Sequence, residues 1–377
     1  MAAERRRKSI TILWGILALA AVLLVVVKIE NRPPTSVRGP LKILTPPFTA
    51  NKAELIQELR DRKFQQLDTQ LNSYQKAFEG NVLEEGNLAI AFDTFSFTDP
   101  ALTPILEEWV KNEPSSYPAH LARAEHLLAL GWQARGDRFV DKTSEQQFSE
   151  MQNLFGESVK EAIAAIKLNP KSSIAYGLII DAAKGAGSSD GMKRAYAAGI
   201  KNVPLSLSIR TYVMTALEPR WGGSYDAMEK FADEAQKHAA QNPRLVSLKG
   251  FADADRADEA VSAGDPRKAI RLCNQALEEG GDFYTAYIYR ANTYGQLHLY
   301  DEALEDLNRA NRLRPQNPKV LESLAYVYEG LTRPKDSLAV IEQYRQIAQP
   351  DPYLLNIEKW AQNFDSGTAP AVKVGGN

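Results

Sequence analysis

The stretch YTAYIYRANTYGQLHLYDEALEDLNRANRLRPQN, from Tyr284 to Asn317, decides the fold. Within it Tyr287, Ala291 and Tyr294 fall at i, i+4 and i+7, and Ala303, Leu307 and Ala310 repeat that spacing. Each triplet lines one face of a helix. Two amphipathic helices are therefore predicted, the second opening at Tyr300-Asp301. Pro315 ends it, because proline cannot donate to the helical ladder and pushes the preceding residue out of helical space. Alanine at 291 and 303 lets the two helices approach closely, where a larger side chain would force them apart.

The unit recurs. Ala269, Ala303 and Ser337 occupy equivalent places, and 303 − 269 = 337 − 303 = 34. A two-helix unit of that period has the tetratricopeptide spacing. The earlier copy reads Ala257, Gly264-Asp265, Ala269, Cys273 and Ala276; the later one Leu321, Ala325, Tyr328, Ser337, Ile341 and Tyr344. One hairpin cannot bury its own apolar face, so neighbours must stack. The period also reaches upstream. Ala165 and Pro170 match Ala310 and Pro315, and 204 − 170 = 34, so residues 173–206 form another unit with Tyr176 in the place of Tyr287. The next hairpin carries an inserted turn, EPRWGG, before SYDAMEKFADEAQKH. Further upstream, Leu55, Leu59, Phe64, Leu67, Leu71 and Tyr74 make one amphipathic stripe to about Phe78. Helices follow at roughly 81–95, from Asp99-Pro100 through Trp109, and after Pro118. Ser144 with Gln147 reads as a capping box. The expected fold is all-α: a right-handed, tetratricopeptide-like hairpin solenoid preceded by one transmembrane helix. It comprises a degenerate region at 51–249, tandem repeats at 250–363 and a flexible tail at 364–377.

The transmembrane expectation rests on ITILWGILALAAVLLVVV, residues 10–27, which carries no charge. Eighteen residues at 1.5 Å each span about 27 Å, close to a hydrocarbon core. No small-x-small cleavage site follows, which favours a retained anchor over a signal peptide. Arg5, Arg6, Arg7 and Lys8 precede the run in a basic tail at 1–9, and Lys28, Arg32, Arg38 and Lys42 follow it. The counts tie, but the upstream four are contiguous, and large downstream domains cross largely regardless of charge. The N-terminus is thus expected in the cytoplasm and the bulk in the periplasm, outside a bacterial inner membrane. Residues 28–50 contain Pro33, Pro34, Pro40, Pro46 and Pro47 and form an extended linker.

The net charge of −2 offers no electrostatic case for nucleic acid. A single cysteine, Cys273, excludes an intrachain disulfide, and its inward position reads as a buried small hydrophobe. His120 and His126 are six apart and form no i, i+4 metal pair; the histidines are expected on helix surfaces. Asp253, Asp255, Asp258 and Glu259 lack the central glycine of a calcium loop and lie within a helical pattern. GAGSSDG (185–191) follows no strand, so it reads as an inter-helix turn rather than a nucleotide loop. No cofactor, metal or catalytic residue is expected.

Two segments carry a further resemblance: LARAEHLLALGWQARGDRF (121–139) with the SEQQF element after it, and ALEPRWGGSYDAMEKF (216–231). With the surrounding repeats they resemble the DUF4034 family of bacterial tetratricopeptide-like proteins, over most of residues 52–345. The resemblance implies fold and bacterial origin. The family has no established activity, so no site residues carry over.

Function must then be sought on surfaces. Two clusters stand out: Trp132 with Arg135, Gly136, Asp137 and Arg138, and the aromatic turn Pro219, Arg220, Trp221, Gly222, Gly223, Tyr225. Trp packing and Gly turn geometry explain both structurally; Arg220 and Trp221 as a partner anchor is the functional reading. On the concave side the repeat register places Ile288, Asn292, Lys319 and Tyr326. Tetratricopeptide clamps for a C-terminal carboxylate resemble this surface but need a basic residue where Ile288 stands and a donor where Ser323 stands. An extended or helical peptide, held by Asn292, Lys319, Tyr326 and Ile288, fits better. The expected function is a non-enzymatic, membrane-anchored adaptor for a protein partner. An accessory envelope enzyme and an architectural oligomer are the alternatives. A C-terminal alkaline phosphatase fusion is expected to be active in a bacterial host; activity only from a cytoplasmic reporter would reverse the topology.

Overall fold

The computed structural model describes residues 48–136 and 143–365. The expected membrane span at 10–27 and most of the linker and tail lie outside these. Among the described residues no helix is long and apolar enough to cross a membrane, and every regular element is helical. The helices are α1 Lys52–Arg60, α2 Phe64–Gly80, α3 Glu85–Asp93, α4 Thr103–Asn112, α5 Tyr117–Arg135, α6 Glu145–Leu168, α7 Ser173–Gly185, α8 Ser189–Asn202, α9 Leu207–Ala216, α10 Tyr225–Ala235, α11 Phe251–Ser262, α12 Pro266–Gly280, α13 Tyr284–Gln296, α14 Tyr300–Leu313, α15 Pro318–Gly330, α16 Pro334–Arg345 and α17 Pro352–Asp365.

The 34-residue step is visible in the starts of α13, α15 and α17, at 284, 318 and 352. It is visible again in the turns inside the hairpins. Gly264, His298 and Thr332 all adopt positive φ, at 74°, 57° and 55°. The tight reversal demands a left-handed residue there, which glycine meets without strain and threonine does not. The helix starts follow their caps. Asn317 accepts from the Lys319 and Val320 amides with Pro318 in the first turn, and Ser144 and Gln147 form the expected capping box. The last helix, α17, runs to Asp365, and residues 366–377 of the expected tail lie outside the described residues.

The stripe from Leu55 to Phe78 is two helices rather than one. Arg62 turns left-handed at φ 58°, and the Lys63 amide closes on the Glu58 carbonyl at 3.0 Å, a helix-ending motif. The break seats the Phe64 ring on Trp109, stacked at 5.8 Å. Periodicity carries through such a turn, which is why the sequence pattern did not reveal it.

Cores form between hairpins as stacking requires. Ala291, Ala303, Leu307, Ala310, Leu321, Leu324 and Ile341 share one apolar cluster. Inside the Tyr284–Leu313 hairpin, the Arg290 guanidinium donates two bonds of 2.7 Å to Asp306 and a third of 2.5 Å to Asn274. Burial works against both charges, and the bidentate geometry compensates.

The solenoid also turns back on itself. The N-terminal helices run along the edge where one repeat passes to the next. Gln75 donates to the Lys171 carbonyl at 3.2 Å. The Glu85 carboxylate accepts from the Ser206 hydroxyl and the Leu207 and Ser208 amides, capping α9. Arg244 donates to the Leu83 carbonyl at 3.2 Å. Gln316 accepts from the Lys52 amide at 2.7 Å and donates to Asn51 at 3.1 Å.

Ala303 is fully buried at its helix crossing. Replacing it with leucine should destabilise the fold by about 1–3 kcal/mol through overpacking, read from the midpoint of thermal or urea unfolding. An unchanged midpoint would mean that the crossing tolerates added volume.

Candidate functional site

Glu125, Asp181 and Asp93 come from α5, α7 and the end of α3. Together with Arg314, they all act electrostatically on the Tyr212 phenol of α9. Burial, reinforced by those carboxylates, raises the Tyr212 pKa far above its ordinary value. The Asp93 side chain is half exposed and paired with Lys52. Burial opposes its charge, but Lys52, and then Arg314, outweigh this and hold it below the usual carboxylate range.

Where the N-terminal helices meet the last repeats, a cleft of about 580 Å³ opens. Lys52, Asp93, Thr98, Gln133, Lys319 and Tyr344 are among its lining residues. The curvature of the solenoid builds this cleft from residues more than 200 positions apart, so no local motif announces it.

At the far ends of α5 and α7 the described parts of the two clusters singled out in the sequence meet, while Asp137 and Arg138 lie outside the described residues. The Trp132 and Trp221 rings lie edge to face at 5.5 Å. Arg135 lies 5.9 and 5.3 Å from their centroids, and Lys184 4.9 and 5.0 Å. Trp132 donates to Asp181 at 2.9 Å, and Lys184 pairs with the same carboxylate at 2.5 Å. The inserted turn is thus stapled to the preceding hairpins by two rings and two cations. Gly222 supplies the left-handed residue at φ 86°. At Gly223 a Cβ would stand 2.0 Å from the Leu217 carbonyl oxygen, so only glycine fits. Arg220 is shared by Glu218 at 3.3 Å, Asp258 at 3.1 Å and Asp255. Both Arg220 and Trp221 are therefore engaged within the chain.

The concave residues fare differently. Ile288 is only 7% exposed and belongs to the core, so it offers no apolar patch; its ring of aromatic and aliphatic neighbours draws it inward. Asn292 is exposed and accepts from Ser323 at 3.1 Å. Tyr326 lies between Tyr300 and Tyr353, with centroids at 6.0 and 6.4 Å, and donates to the Gly295 carbonyl at 3.4 Å. Lys319, two turns earlier on the same helix, reaches the cleft instead.

The histidines are not all at the surface. His126 is fully buried, bonded to Thr103 and to the Phe97 carbonyl at 2.8 Å each. His120 contacts Glu161 at 2.5 Å, and this bond raises its pKa. Burial pushes the Cys273 thiol up to about 12, as suits an inert core residue. Asp253 and Asp255 lie in α11 and pair with Arg256 and Arg220. Among the described residues no cluster of His, Cys, Asp or Glu could hold a metal. Sequence reasoning missed Lys52, Asp93, Glu125 and Tyr212. The one local signal was an acid, Glu125, in the mostly apolar run LARAEHLLAL.

Residues 51–192 match the family DUF4034, a domain of unknown function. The match stops short of the expected 52–345, so the PRWGGSY segment stands outside it. A stretch of 105 residues is 30% identical to the DnaJ homolog subfamily C member 7 homolog of Schizosaccharomyces pombe, covering 27% of this chain and 21% of that protein. The chain thus spans about a fifth of the length of this curated relative. Among solved structures, yeast Tom70 resembles 93% of this chain and 73% of its own, at 15% identity and a TM-score of 0.44. YrrB, described as a TPR protein with an unusual peptide-binding site, resembles 53% of this chain and 99% of its own, at 17% identity and 0.27.

Burial raises the Glu218 carboxyl to about 7, with Asp255 adding to the effect. Arg220 opposes this but divides its charge among three acids, and Glu218 is the least well served. A folded-state value above the unfolded one means that the stabilising contribution is full below about 4.5 and lost as pH rises through about 7. Glu218→Gln should therefore gain in melting temperature relative to the parent chain as pH rises from 4.5 to 7, and hold that gain above. Parallel curves across this window would show that Glu218 ionises normally.

Proposed function

We propose that this chain is a non-enzymatic interaction scaffold that holds a protein partner on the inner face of its superhelix. Stacked hairpins present such a face as an extended concave surface, the usual binding surface of helical-repeat proteins. The observation that carries the reading is the 580 Å³ cleft, whose lining brings Lys319 of the last repeats together with Lys52 and Asp93 of the first helices. Polar groups with room beside them suit a peptide segment held by side-chain contacts. Asn292 and Tyr326, on α13 and α15 outside the cleft's lining, would add further contacts to the partner; Arg220 and Trp221 act by holding the inserted turn in place. In this reading residues 10–27 anchor the scaffold in a bacterial inner membrane, with the repeats in the periplasm.

The test is crosslinking in cells followed by purification of the full chain, alongside an Asn292→Ala, Lys319→Ala, Tyr326→Ala triple variant. The variant should keep its helical circular dichroism and lose about tenfold or more in affinity for the captured partner. Wild-type capture by the folded variant would exclude this surface.

A further inference from the structure

A groove of about 660 Å³ runs between α6 and α8, with α7 packed against both as its floor. It shares no lining residue with the cleft at Lys52 and Lys319. Along α6 the wall is Phe155, Val159, Ile163 and Ile166, spaced i, i+4, i+8 and i+11 on one helix face. That stripe extends about 16 Å at 1.5 Å per residue. Ile163 is 42% exposed in the middle of it. Along α8 the wall is low, lined by Gly191, Ala195 and Ala198. An exposed apolar surface with a polar rim marks an interaction site.

The rim supplies a charge. Arg194 lines the groove, is exposed, and has no ion pair or hydrogen bond among the described residues. Lys193 and Lys201 on the same helix are likewise exposed and unpaired there, against one acid, Asp190, in its first turn. On the α6 side Glu157 pairs with Lys160 at 2.5 Å, and Glu161 with His120 and Arg123. The unanswered charge therefore lies on the α8 side, and it is positive.

The floor decides the form of the guest. The Tyr176 hydroxyl is engaged by the Pro170 carbonyl and Asn202, and the Ser188 hydroxyl accepts from the Gly191 amide. Among the lining side chains this leaves polar atoms free only at Gln152 and Arg194. An extended segment would lay backbone N–H and C=O groups on a surface that cannot bond them, whereas a helix bonds its own.

We propose that this groove docks an amphipathic helix of a protein partner, with its apolar ridge on Phe155, Val159 and Ile163 and a carboxylate beside that ridge paired with Arg194. A ridge at i, i+4, i+7 and i+11 matches the length of the α6 wall. The small residues of α8 let the guest backbone approach closely. The Arg194 fork can take a carboxylate through two bonds, which orients the guest with its acid toward α8.

Calorimetry on the full chain tests this with synthetic helical peptide amides of about 18 residues, since shorter helices are marginal alone. One carries leucine at i, i+4, i+7 and i+11 with glutamate flanking the ridge. A second has lysine in place of that glutamate, and a third scrambles the first. The acidic peptide should bind, the lysine peptide about tenfold or more weakly, and the scrambled one not at all. Gly156→Leu fills the groove from its α6 wall. A Cβ there meets no neighbouring side chain within 4 Å, so the fold should hold while affinity for the acidic peptide falls about tenfold or more. Arg194→Glu should reverse the preference between the two ridged peptides, and decides the matter if Gly156→Leu fails to fold. Absence of binding by the acidic peptide at about 1 mM, equal binding of both ridged peptides by the parent chain, or undiminished affinity in folded Gly156→Leu each overturns the proposal. A dimer of the chain that Gly156→Leu abolishes in sedimentation would overturn it in favour of a second copy. Binding of dodecanoate when no peptide binds would overturn it in favour of an acyl chain.

Discussion

Gln316 reaches the Lys52 amide across 264 residues of sequence, and the interior of this molecule depends on that reach. Each hairpin is rotated slightly from the last because a helix pair can bury its apolar face only against the next pair. After enough repeats the accumulated rotation returns the chain to its own beginning. Without the return, the solenoid would present an open, one-sided groove. With it, α1 to α3 lie against one edge, and the first and last parts of the chain enclose a cleft.

The contacts that hold the return are polar and directional. Glu85 caps α9 from outside the repeat, satisfying amides that the helix cannot satisfy itself. Gln316 bonds both ways at the opposite end. Apolar packing decides that hairpins stack; these side chains decide where the N-terminal helices come to rest. The same division runs through the inserted turn, where the two tryptophans provide area and Arg135, Lys184 and Asp181 provide orientation.

The interior then acquires an electrostatic character that none of its parts has alone. Acids from α3, α5 and α7 converge near one phenol, and two of the three bring their own cations. In the turn beyond, three acids share Arg220. The cations are unevenly shared among these acids, and burial raises the carboxyls of Glu125 and Glu218 above the usual carboxylate range.

The hairpins were legible in the sequence because their signals are local: alanines at the crossings, prolines at the ends, Ser144 with Gln147, and a period that aligns Ala269, Ala303 and Ser337. The glycine turns around 187 and 222 were legible for the same reason. The break at Arg62 was not, since a left-handed residue between two helices leaves the apolar period intact. Nor was the burial of Ile288, because a repeat register names a helix face and cannot tell how far a neighbour's side chains cover it. Lys52, Asp93, Glu125 and Tyr212 belong to four helices with no shared spacing. By itself the sequence determined the repeating unit, its boundaries and its need to stack. Only the tertiary structure decided the curvature, and so which charges face each other, because small rotations between hairpins add up over the whole chain and no single window of residues contains their sum.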